Sequence, residues 1–158
     1  GELVIKKPFP SMPVMFWNDK SEDKILKAYF KKYKNIWHHG DYIQKTKNGG
    51  YIIYGRSDST LKPGGVRIGT SEIYRQVESF DEILESIVVG QNYQDDIRII
   101  LFIKLASGSI FSKELEDKIK KKIRTNCSPR HIPSKIIVCP DIPRTKSNKI
   151  VEIAVRKI

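Results

Sequence analysis

Apolar residues recur along this chain with two different periods, and the switches between them mark its elements. Residues 2–5 make a short strand candidate, after which Pro8, Pro10 and Pro13 hold the chain extended and deny it helix. From Ser21 the period lengthens: acidic Glu22 and Asp23 open a segment in which Ile25, Leu26, Tyr29, Phe30 and Tyr33 form a helical stripe with lysines opposite. Lys47, Asn48, Gly49 and Gly50 compose a hairpin turn that joins Tyr42 and Ile43 to the apolar run Tyr51, Ile52, Ile53, Tyr54. Further on the pattern predicts a helix at 70–79, strands at 86–90 and 98–105, a helix at 112–125, a strand at 135–139 and a helix at 150–157. Ile73, Val77 and Phe80 fall at i, i+4 and i+7 behind Thr70, which is placed to cap. Leu115, Ile119 and Ile123 repeat the helical spacing, while Ile99 to Ile103 is apolar throughout, as a central strand covered on both faces would be. The expected fold class is α+β: a small domain with a three-stranded sheet packed by helices, preceded by a short β-rich segment.

Length allows one ordinary domain with a short appendage, and the 39% apolar content suffices for one modest core. No apolar run approaches the roughly 20 residues that span a bilayer, and the first residues lack the charged-then-apolar order of a signal peptide. We therefore expect a cytoplasmic protein with no membrane partner. Cys127 and Cys139 have neither Cys-x-x-Cys spacing nor a histidine at metal-ligand distance in sequence, so idle thiols are expected in place of a zinc site. Lys and Arg exceed Asp and Glu by 29 minus 18, or +11, a field that draws polyanions. A basic nucleic-acid-binding module is the alternative from a different class, but the chain lacks stacking motifs and a recognition-helix pattern, and no nucleic acid is expected.

The chemistry concentrates between Gly55 and Glu78. Arg56 and Arg67 offer forked donors suited to phosphate oxygens, and Pro63, Gly64 and Gly65 between them form a turn that lets backbone approach a ligand closely. Upstream, Gly40 supplies a turn before Asp41, and His38 and His39 have no carboxylate or cysteine at triad-like spacing and read as structural. Downstream, residues 128–133 make a rigid non-helical connection, and Pro140, Pro143, Thr145, Ser147 and Asn148 mark an exposed loop ending at Lys149.

The stretch from Gly55 to Glu78, which reads as a hinge, joined to Trp37-His38-His39-Gly40-Asp41-Tyr42 and Thr145-Lys146-Ser147-Asn148-Lys149, resembles the adenylate-forming acyl-CoA synthetases; the runs 9–13, 16–19 and 65–74 resemble their acetoacetate-activating branch. Those enzymes are several times longer. The resemblance therefore implies that residues 1–57 are the C-terminal edge of a large N-terminal adenylation domain and residues 58–158 its C-terminal lid, an expectation with which a strand-first start and an ending inside a helix agree. It implies ATP with Mg2+, acetoacetate and coenzyme A as small-molecule partners, and the protein's own N-terminal domain as a further one. Asp41 would accept from the ribose hydroxyls, Arg56 and Arg67 would hold ribose and phosphate, and Asp58 would be the pivot of the lid. Gly64 and Gly65 would admit the pantetheine arm and Arg124 would meet the adenosine phosphate of coenzyme A, with Lys118, Lys120, Lys121 and Lys122 left as a solvated face. Lys149 matches the catalytic lysine, normally preceded by glycine; here Asn148 stands before it, the residue that next best tolerates a left-handed backbone. The resemblance also places a monovalent cation on backbone carbonyls near Glu78, Phe80 and Ile83, and makes Lys149 the target of a lysine acetyltransferase and deacetylase. The acyl pocket would lie in the large domain, so acetate or propionate stays open as the acid, and the isolated chain is expected to be inactive.

Overall fold

The computed structural model describes residues 1–157 and divides into two compact units, Gly1–Ile53 and Tyr54–Ile158. In the first unit β1 (Glu2–Ile5) pairs antiparallel with β2 (Trp37–Lys45), and β2 neighbours β3 (Tyr51–Arg56), along which the chain leaves this unit. The 46–50 turn closes as its composition predicts, with Thr46 N–H donating to the Gly50 carbonyl at 2.8 Å and Gly49 at φ 84°.

The segment read as one helix over 21–33 is shorter and wider. Helix α1 (Asp23–Ile25) runs directly into a π-helical turn, Leu26–Phe30. Ser21 does not cap it; the buried Asp19 carboxylate does, accepting from Lys24 N–H and Ile25 N–H at 3.0 Å each. An aromatic cluster accompanies the wider winding: Tyr29 stacks on Trp37 at 3.6 Å between centroids, with Phe9 and Phe30 edge-on to the same indole. Gly40 also departs from the reading, since it lies buried inside β2 at φ 88° and makes no chain reversal.

The second unit is built on the sheet β4 (Ile83–Tyr93), β5 (Asp96–Leu105), β6 (Lys135–Val138), in that order. β4 and β5 form an antiparallel hairpin whose turn residues Gln94 and Asp95 both have positive φ, 48° and 61°, as a tight hairpin needs. β5 then crosses through α3 (Lys113–Asn126) to the parallel β6. One sheet face packs α2 (Thr70–Val77) and α3: Ile73, Val77, Leu115, Ile119 and Ile123 close on Val88, Ile99, Leu101 and Ile103, all fully or almost fully buried. Ser112 caps α3 by accepting from Leu115 N–H at 3.1 Å.

Thr70 does not cap α2. Gly69 is the N-cap, and the Glu72 carboxylate reaches back to its N–H at 2.9 Å while Thr70 is buried in the first turn. Space decides this, because a Cβ on Gly69 would stand 2.5 Å from the Tyr54 carbonyl oxygen. β5 is covered on its second face too, where Ile100 is buried and Phe102 partly so. Ile100 and Phe102 look the opposite way from Leu101, onto an apolar concavity of about 450 Å³ shared with Ile87, Val89 and Ile137 and only partly roofed by Ile142, Pro143 and Val155. The last helix, α4 (Glu152–Arg156), is shorter than 150–157 because Ile150 is engaged in a β-bridge with Arg144. No helix among the described residues is long and apolar enough to cross a membrane.

Candidate functional site

Where β3 ends, the chain turns tightly. Ser59 N–H returns to the Arg56 carbonyl at 3.2 Å and Thr60 Oγ1 to the Ser57 carbonyl at 2.8 Å, and both hydroxyl residues are buried. Arg56 and Asp58 face each other across this turn with Nε and Oδ1 3.4 Å apart, each about half exposed. Leu61 and Ile68 then exchange two backbone hydrogen bonds of 2.9 Å and bury completely or nearly so, which closes the loop carrying Lys62 to Arg67. Arg67 is exposed on it.

Inside that loop Pro63–Gly65 forms a single 3-10 turn with Gly64 at φ 55° and Gly65 at φ 75°, so both glycines occupy backbone conformations that side chains disfavour. Two residues the sequence reading did not single out hold the turn. Gly64 N–H is shared by the two oxygens of Asp96, at 2.9 and 3.0 Å, and Arg130 lies against Gly64, its guanidinium 3.5 Å from the carbonyl. Hydrogen bonds from Ile97 and Gly64 N–H, with Arg130 nearby, hold the Asp96 carboxyl below the usual carboxylate range.

Residue 128–133 is a brace. Ser128 Oγ accepts from Arg130 N–H and lies 2.8 Å from His131 Nδ1, and His131 Nε2 stands 3.7 Å from Glu72 Oε2. His131 chiefly, and Gly69 N–H after it, outweigh burial and keep the Glu72 carboxyl below its ordinary range. The 61–68 loop, the connection before β6 and the start of α2 are thus tied together.

The loop ahead of α4 is a small hairpin. Thr145 N–H donates to the Lys149 carbonyl at 2.8 Å, Asn148 N–H to the Thr145 carbonyl at 2.9 Å, and Lys149 N–H to Thr145 Oγ1 at 3.1 Å. Asn148 sits at φ 65°, the left-handed conformation that permits it to stand where glycine was expected. Arg144 secures the near side, donating to the Asn148 carbonyl at 2.9 Å and pairing with Glu85 at 3.1 Å. Lys149 is presented exposed at the end of this hairpin.

The remaining assigned residues lie elsewhere. Asp41 belongs to the first unit, on β2, where its carboxylate meets His39 Nδ1 at 2.7 Å. His38 likewise meets Glu2 at 3.1 Å, so both histidines do have carboxylate partners, one of them brought in by strand pairing from 36 residues away. Arg124 is exposed in the last turn of α3. The lysines around it are largely absorbed locally: Lys118 pairs with Glu114, Lys120 with Glu116, and Lys122 reaches Ser79 while lying 4.7 Å from the Phe80 ring centre. Phe80 and Ile83 flank the turn after α2, where the Phe80 carbonyl accepts from Ile83 N–H at 3.0 Å, and Glu78 caps the helix while accepting from Ser86 Oγ. Among the described residues no group of three or more His, Cys, Asp or Glu could hold a metal.

Residues 75–149 match the profile of the AMP-binding enzyme C-terminal domain, a span that includes the β4–β5–β6 sheet and α3. The likeness then narrows. Over its full length the chain is 56% identical to the acetoacetyl-coenzyme A synthetase of Rhizobium meliloti (strain 1021), of which it covers 24%. Its structure superposes with a TM-score of 0.91 on acetoacetyl-CoA synthetase from Streptomyces lividans, at 44% identity, covering 99% of this chain and 23% of that one. A benzoate CoA ligase from Burkholderia xenovorans LB400 superposes at 0.80 with 28% identity, covering 99% and 30% respectively. Along its whole length the chain is similar to acetoacetyl-CoA synthetases, and it spans about a quarter of the length of the curated relatives it matches.

Proposed function

We propose that this chain is the lid, the hinge and the adjoining edge of the large domain in an acetoacetate–CoA ligase, with the boundary between the two at Asp58. In the first half-reaction a carboxylate oxygen of acetoacetate attacks the α-phosphorus of ATP and pyrophosphate leaves with the bond electrons. In the second, the coenzyme A thiol gives up its proton, its sulfur attacks the acyl carbon, and AMP departs. Lys149 is the catalytic cation of the first step, neutralising charge that gathers on the carboxylate and bridging oxygens. Asp41 orients the ribose, and Arg56 with Arg67 holds ribose and phosphate by charge-assisted hydrogen bonds. After the lid turns about Asp58, the Gly64–Gly65 turn gives room to the pantetheine arm and Arg124 meets the adenosine phosphate. Magnesium enters with ATP, held mainly by the triphosphate, and the carbonyls near Glu78, Phe80 and Ile83 would take a monovalent cation.

The observation that carries this reading is the 144–149 hairpin: an exposed lysine on a loop fixed by Arg144 and by a left-handed Asn148, in a chain homologous throughout to acetoacetyl-CoA synthetases. The exposure of Lys149 also suits it to a lysine acetyltransferase and deacetylase, and a cytoplasmic location goes with the reading. Likeness to a benzoate ligase favours a scaffold indifferent to the acid, so the test must discriminate acids. The full-length ligase carrying this chain is given ATP, coenzyme A and, in turn, acetoacetate, acetate, propionate and benzoate. Pyrophosphate release and thioester formation highest by kcat/KM with acetoacetate are expected; equal or higher kcat/KM with another acid refutes the substrate, and no release with any acid refutes the reaction.

A further inference from the structure

Tyr74 is a partly buried phenol that the proposed mechanism leaves unused. Its phenol donates to Glu152 Oε1 at 2.5 Å and accepts from Val88 N–H at 3.1 Å, so one oxygen joins α2, α4 and β4. Apart from this bond, helix α4 rests on β4 through the half-buried Val155. It is five residues long, has no side-chain cap and contains no buried residue, and a helix so short does not persist by its own hydrogen bonds. Glu152 lies in its first turn, three residues beyond Lys149, where a carboxylate also suits the helix dipole. On the other side of the loop, Arg144 is fastened to Glu85. Both fastenings therefore end on β4, at Glu85 and at Val88, with the Lys149 hairpin strung between them.

We infer that Tyr74 and Glu152 are positioning residues: their hydrogen bond is a latch that fixes the far side of the Lys149 hairpin and holds the lysine where the first half-reaction needs it. This rests on the ligase reading above. Burial, and then the neighbouring Glu152 carboxylate, push the Tyr74 hydroxyl far above its ordinary range, which keeps the phenol protonated and donating. Misplacement of a reacting group by a fraction of an ångström is enough to slow a step that depends on its charge.

Removing one oxygen tests the latch. In the full-length ligase, Tyr74→Phe is expected to slow adenylation about tenfold while thioester formation from preformed acetoacetyl-adenylate keeps its rate. Hydrogen exchange should rise across 144–157 and stay unchanged in β5 and α3. Glu152→Ala should match Tyr74→Phe, the double variant should be no worse than either, and Glu152→Gln, which keeps an acceptor oxygen, should recover most of the rate. Unchanged adenylation in Tyr74→Phe, additive losses in the double variant, or equal loss of both half-reactions overturns the positioning role. If the wild-type ligase releases no pyrophosphate with acetoacetate, the ligase reading fails instead, and the exchange data alone then support or overturn the latch.

Discussion

Asp96, at the start of β5, accepts the backbone N–H of Gly64 on both carboxylate oxygens, across 32 residues of sequence. The turn assigned to the pantetheine arm is thereby held in shape by the β4–β5 hairpin, with Arg130 on its other side. Asp96→Ala should raise the KM for coenzyme A several-fold and leave adenylation unaltered, whereas Asp96→Asn, still an acceptor, should lie between. The pH dependence follows from a carboxyl whose pKa is lowered by folding. Its contribution is complete above the ordinary carboxylate range, about pH 4, and is lost as pH falls through the lowered value. The Gly64 amide resonance should therefore stay constant from neutrality down to about pH 4 and move below it; movement near pH 6 would contradict the assignment.

Gly69 is required by space alone. Its φ of −81° suits any residue, yet a Cβ there would press on the Tyr54 carbonyl at 2.5 Å. Gly69→Ala should cost about 1–3 kcal/mol, the usual effect of overpacking, read by urea denaturation of this chain. Glu72→Ala removes the reciprocal cap from the same N–H and the partner of His131, and should cost about 1 kcal/mol, with hydrogen exchange rising first in α2. The larger loss belongs to the glycine.

How far the sequence could be read depended on the distance over which each element is decided. Leu115, Ile119 and Ile123 announce α3 to within a residue because their period is local, and Ser112 caps it as a local residue can. β4 is longer than its apolar run, 86–90, because Gln91, Asn92 and Tyr93 continue the ladder as exposed residues that no burial pattern marks. Asp19 caps the first helix through a carboxylate turned back from outside it, which the helical stripe does not mark. Lys149, Arg56 and the glycine turn were legible as motif residues, whereas Asp96, Arg130, His131 and Glu152 act on partners 32 to 78 residues distant, and composition carries no trace of that. The π-helical turn escaped because its aromatic stripe has the spacing of an ordinary helix.

The role given to Asp58 separates torsion from charge. Its pairing with Arg56 is half exposed, and such pairs contribute little, so Asp58→Ala should change neither half-reaction more than about threefold. Asp58→Pro fixes φ and should trap the lid in one position. Adenylation should continue while thioester formation collapses. Single-turnover measurement of both steps decides it, and equal losses in Asp58→Ala would make the carboxylate a ligand in place of a pivot.

Lys149 supplies the sharpest expectation because one charge is given one task. A lost preorganised electrostatic contact typically costs about 3–4 kcal/mol, so Lys149→Ala should slow adenylation by about two to three orders of magnitude. Thioester formation from preformed acetoacetyl-adenylate should be almost untouched, since in the proposed mechanism the lid carries this hairpin away before the thiol attacks. Acetylating the ε-amine removes the same charge and should reproduce the defect, with recovery on deacetylation. The neighbour separates charge from geometry. Asn148 holds φ 65°, so Asn148→Gly should keep adenylation within about twofold, whereas the β-branched Asn148→Val cannot adopt that conformation cheaply and should slow adenylation with Lys149 intact. Rapid-quench measurement of the two half-reactions gives the answer: wild-type adenylation in Lys149→Ala, or an equal defect in thioester formation, would refute the role.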